Sequence, residues 1–143
     1  RADKLGAHRA ALLFQLPPNM KKDLAVFDAF IDELPPRLCA AFEFRHASWF
    51  DDEVLERLQA RNLALCVSDS EKLSAPVRVT ADYAYFRLRD EGYTPDDIAR
   101  WADAIAASTA ACKDVFVYFK HEDEGKGPEF AQLLMQRLGL SRT

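Results

Sequence analysis

YAYFRLR, residues 83–89, is the stretch on which the fold turns. Side chains alternate across an extended strand. Tyr83, Tyr85, Arg87 and Arg89 therefore share one face, and Ala84, Phe86 and Leu88 share the other. A second stretch, CAAFEFR at residues 39–45, repeats the pattern: Phe42 and Phe44 point one way, Glu43 and Arg45 the other. A parallel strand in an open sheet covered by helices on both sides is expected to be apolar on both faces. Each of these strands is polar on one face toward its C-terminal end. Polar groups so placed suit the mouth of a (β/α) barrel.

Around these two stretches, strands and helices alternate. Ala10–Leu16 is a short apolar run closed by Pro17 and Pro18, which cannot donate to a ladder. Lys21–Leu34 carries Leu24, Phe27, Phe30, Ile31 and Leu34 on one helical face. Asp51 or Asp52 caps a helix running to Arg61, with Val54, Leu55 and Leu58 inward. Leu63–Val67 is a third strand, ending in Ser68, Asp69 and Ser70. Residues 71–82 read as a loop with one short extended piece at Val77–Val79. Thr94 is a helix N-cap, Pro95 stands at the first helical position, and Asp97 completes a capping box. That helix runs to Ser108 and buries Ile98, Trp101, Ala102 and Ile105. Asp114–Phe119 is a fifth strand. A polar loop, residues 120–127, leads to a last helix from Pro128 to Leu138, and residues 1–7 read as the last turn of an earlier helix. The order β-α-β-α-β-loop-β-α-β-α predicts an α/β fold with a parallel sheet. Two closures are open: part of a TIM (β/α) barrel, favoured by the strand faces, or a flavodoxin-like open sheet.

The 143 residues are 49% hydrophobic and 29% charged, which is the balance of a globular chain. With no linker or repeat, residues 1–143 read as one domain. The net charge of −4 disfavours non-specific binding to a phosphate backbone. Cys39, Cys66 and Cys112 show neither metal nor disulfide spacing, which points to a reducing, cytoplasmic setting. The first residues lack the apolar core of a signal peptide, and no apolar run is long enough for a membrane helix. A chain that begins at Arg1 reads as a fragment or a processed protein.

The motifs FQLPP (14–18), EFRH (43–46), SWF (48–50), CVSDS (66–70), TADYAYFRLR (80–89) and VYFKHEDEG (117–125) follow in an order that resembles the domain of unknown function 72 family, also called YecE-like. The resemblance covers nearly the whole chain. It implies a TIM-barrel-like fold, of which this chain would be the C-terminal part, and it implies no particular activity. Two positions depart from the family pattern: Arg89-Asp90 stands where a His-Gly pair is usual, and Lys120-His121 where Asn-Asn is usual.

Candidate site residues gather at strand ends. Glu43, His46 and Asp69 are candidate catalytic groups: the two carboxylates and the imidazole could move protons. Gln15, Arg45, Arg87 and Lys120 could bind substrate, the cations holding an anion, and Tyr85 and Trp49 could stack on a ring. Each has a bland alternative. Glu43 with Arg45 could be a structural ion pair, His46 and Asp69 could cap turns, the aromatics could be core, and His121 could be solvated loop. No metal site is expected, since His8, His46 and His121 lack ligand spacing; no Gly-rich phosphate loop exists, and the cofactor is unknown. Three functions follow: an enzyme acting on a phosphorylated or carboxylated small molecule; a nucleic-acid binding or processing protein using the same cationic mouth; and a non-catalytic assembly module. A partial barrel leaves sheet edges open, so an isolated chain is expected to form a homo-oligomer.

Overall fold

The structure, a computed structural model, describes residues 10–69, 73, 75–88 and 92–119. Its elements are β1 (Leu12–Gln15), α1 (Leu24–Asp32), β2 (Ala40–Glu43), α2 (Asp52–Ala60), β3 (Ala64–Ser68), β4 (Tyr83–Leu88), α3 (Pro95–Ser108) and β5 (Asp114–Phe119). A short 3-10 turn, Ala47–Trp49, lies between β2 and α2. The expected last helix and the expected N-terminal helical turn lie outside the described residues.

Local chemistry sets the helix starts. Asp23 and Asp51 each accept a backbone N–H of the first turn, from Val26 and Val54 respectively. The helix expected from Lys21 therefore begins only after Asp23. Lys22 donates to Asp51, tying the approach to α1 onto the cap of α2. At α3 the capping box is complete: Asp97 N–H donates to Thr94 Oγ1 at 3.2 Å, and Thr94 N–H donates to Asp97 Oδ2 at 2.8 Å. Residues 77–79, expected to be partly extended, belong to no regular element.

The five strands form one sheet in the order β1-β2-β3-β4-β5, and every neighbouring pair is parallel. A flavodoxin-like sheet would place its first strand inside the order. Sequential order removes that alternative and leaves a curled half-barrel with helices alongside, an α/β partial barrel. The two sheet faces differ accordingly. On one face Phe42, Phe44, Leu63 and Leu65 pack with Phe27, Ile31, Val54 and Leu58 of α1 and α2. On the same side Val67, Ala84, Phe86 and Leu88 pack with Ile98, Ala102 and Ile105 of α3. The opposite face is built from strand residues and their flanks: Cys39, Ala41, Ala64, Cys66, Tyr83 and Tyr85, joined by Leu13 and Phe116.

Small residues on that inner face make room for one large one. Register pairs Leu13 with Ala41 and Ala41 with Ala64. Tyr83, 1% exposed, reaches across these alanines from β4 to β2. Its hydroxyl accepts the Ala40 N–H at 2.8 Å and donates to the Ala40 carbonyl at 3.0 Å. Those two backbone groups lie just before the first β2–β3 register pair, where an unpartnered buried amide would be costly.

Candidate functional site

Strand parity and register deliver polar side chains to the inner face above Tyr83. Gln15 is opposite Glu43 in the β1–β2 register, and Ser68 is opposite Arg87 in the β3–β4 register. Glu43, at 6% exposed, is the one charged residue among the buried set of the described residues. Burying a carboxylate is expensive unless it is paired and fully hydrogen-bonded. Here Gln15 Nε2 donates to Glu43 Oε1 at 2.8 Å. Arg87 Nη1 donates to both carboxylate oxygens, at 2.8 Å and 2.9 Å. The cluster thus joins β1, β2 and β4 at their C-terminal ends. Arg87 uses a single nitrogen for this contact, and among the described residues its Nε and Nη2 meet no acceptor.

Cys66 and Tyr85 lie on the same face beneath these charges. Burial pushes the Cys66 thiol far above its ordinary pKa, and the Glu43 carboxylate adds to the effect. Cys66 is therefore a neutral thiol, far from the thiolate a nucleophile needs. The Tyr85 phenol is pushed up to about 12, first by burial and then by the neighbouring Tyr118.

The other expected site residues are not brought to this cluster. Arg45 lies beyond the end of β2, exposed, and makes no ion pair among the described residues. Glu43 is thus paired across strands with Arg87 rather than along its own strand with Arg45, because β2 ends at Glu43 and the chain bends away into the 3-10 turn. His46 caps that turn: its Nδ1 accepts the Ser48 N–H at 3.1 Å. Trp49 is 1% exposed and belongs to the helix-side core. It stacks on Phe44 with centroids 4.8 Å apart, and its Nε1–H donates to the Met20 carbonyl at 2.8 Å. Asp69 falls on the helix side, where Tyr93 donates to it. It lines an open cleft of about 350 Å³ with Tyr93, Asp97, Arg100 and Trp101. Lys120 and His121 lie outside the described residues. Among the described residues no three His, Cys, Asp or Glu side chains are grouped to hold a metal ion, and no helix is long and apolar enough to cross a membrane.

Sequence reasoning passed over two inner-face residues. Cys66 was legible from strand parity, being two residues before Ser68. Tyr118 was hidden because the faces of the fifth strand had no assigned register; pairing with β4 puts it opposite Arg87.

The model of one protein family, described as a protein of unknown function, DUF72, matches residues 1–143. Among solved structures, a DUF72 family protein of Enterococcus faecalis V583 superposes with a TM-score of 0.81 at 20% identity, covering 93% of this chain and 60% of that one. A DUF72 family protein of Thermotoga maritima MSB8 superposes with a TM-score of 0.80 at 24% identity, covering 91% of this chain and 58% of that one. The chain thus spans about 60% of the length of the solved structures it matches. No protein of curated function matches it significantly.

Proposed function

The chain belongs to the DUF72 family of proteins of unknown function, and within that family we propose that its inner rim binds a small phosphorylated or carboxylated molecule and acts on it by proton transfer. The observation that carries this reading is the buried Glu43 carboxylate, held by Gln15 and Arg87 from two other strands. Three strands converge their polar ends on one point, at the end of the sheet where barrel enzymes bind substrate. Arg87 Nε and Nη2, which meet no acceptor among the described residues, are the donors for an incoming anion, and we assign the exposed Arg45, two residues past the end of β2, as a second cation that meets the ligand on binding. Glu43 is the acid–base group, oriented by its two donors. The spacing of Cys39, Cys66 and Cys112 fits neither a disulfide framework nor a metal site, which supports a reducing compartment such as the cytoplasm.

Titration calorimetry with inorganic phosphate and with acetate tests the reading. Wild type is expected to bind at least one of them saturably. Arg45→Ala, which disturbs no ion pair among the described residues, is expected to weaken that binding about tenfold, the loss of one charge-assisted contact. Absence of saturable binding by either anion would overturn the assignment.

A second reading rests on the β1 side of the sheet, where Leu12 (51% exposed), Val26 (51%) and Phe30 (43%) face outward. Apolar side chains clustered beside an edge strand favour self-association. Sedimentation is expected to find a dimer or larger species; a compact monomer would refute it.

A further inference from the structure

We infer that the ligand of the inner rim carries a flat ring next to its anionic group, and that Tyr118 is the platform on which the ring stacks. The inference rests on the anion-binding reading above and adds a substrate class to it. Register places Tyr118 directly opposite Arg87 on the neighbouring strand. Side chains of such a pair stand side by side on one face. Tyr118 is 49% exposed, whereas Tyr83 and Tyr85 of the same face are 1% and 7% exposed. It is therefore the tyrosine of that face whose ring a ligand can reach. Tyr85 supports it from beneath, with ring centroids 5.3 Å apart and planes inclined by 38°. Phe116 continues the support, 6.1 Å from Tyr85. A supported aromatic ring beside a guanidinium whose Nε and Nη2 meet no acceptor among the described residues matches a ligand in which a planar ring adjoins a phosphate or carboxylate. The buried Tyr85 phenol stays protonated and neutral, so the platform does not repel the anion.

The test compares phenyl phosphate with inorganic phosphate on the full chain by calorimetry. Wild type is expected to bind phenyl phosphate about tenfold more tightly, the low end of what base–aromatic stacking contributes. Tyr118→Ala is expected to erase that preference while leaving inorganic phosphate binding unchanged, and Tyr118→Phe to keep it, since stacking needs the ring and not the hydroxyl. Equal affinities in wild type, or a Tyr118→Ala loss shared by both ligands, would overturn the stacking role and leave the anion site standing. Failure of both ligands to bind would overturn the anion site and this inference with it.

Discussion

Arg87→Met is expected to lower the unfolding free energy by about 3 kcal/mol in urea denaturation, at an unchanged m-value. The loss does not measure the strength of the ion pair. Glu43 and Arg87 side chains are 7% and 23% exposed, so removing the guanidinium strands a carboxylate that is largely withdrawn from water. Among the described residues, Gln15 alone remains as a donor to it. The double variant Glu43→Gln/Arg87→Met removes the stranded charge. It is expected to recover more than half of the loss, because breaking a buried pair costs more than replacing it. A single-variant loss under about 0.5 kcal/mol, the size of an ordinary surface substitution, would mean that the Glu43 carboxylate is solvated. The buried cluster on which the functional reading depends would then not exist.

The second large effect separates core from site. Trp49→Ala is expected to cost about 3–5 kcal/mol, the range for deleting a large buried aromatic. The ring fills the space between Phe44 and Phe27, whose centroids lie 4.8 Å and 5.6 Å from it. Its N–H also satisfies the Met20 carbonyl, which would lose its donor. Trp49→Phe is expected to fall between wild type and alanine, retaining most of the packing and losing the hydrogen bond. Where Trp49→Phe remains folded, its affinity for inorganic phosphate is expected to equal that of wild type. A selective loss of anion binding with stability preserved would return Trp49 to the site.

These two residues also show how far a linear reading reaches. For Glu43 and Arg87 it reached the right face. Period-two alternation put Glu43 opposite in direction to Phe42 and Phe44, and Arg87 opposite to Phe86 and Leu88, and both faces appear as expected. For Trp49 alternation had nothing to act on, because the residue lies in a 3-10 turn just past the strand end. A tryptophan there can turn toward the rim or under the helices, and packing against Phe44 and Phe27 decided it. Asp69 is different: two residues after Val67, it keeps the helix-side parity of β3, and what tertiary structure added is its partner, Tyr93, which comes from beyond the next strand.

Alternation and capping are local: they depend on the pleat of one strand or on the hydrogen bonds of one helical turn. They were enough to place the described strands and helices to within a few residues at their ends, to complete the capping box at Thr94, and to set an all-polar strand end against an all-apolar one. Which strand lies beside which is not local. Sequential order, the Glu43–Arg87 contact across 44 residues of chain, and the pairing of Tyr118 with Arg87 all depend on how the crossovers bring distant segments together. A side chain's parity names its face, but its partner is named only by register, and register is a property of the assembled sheet.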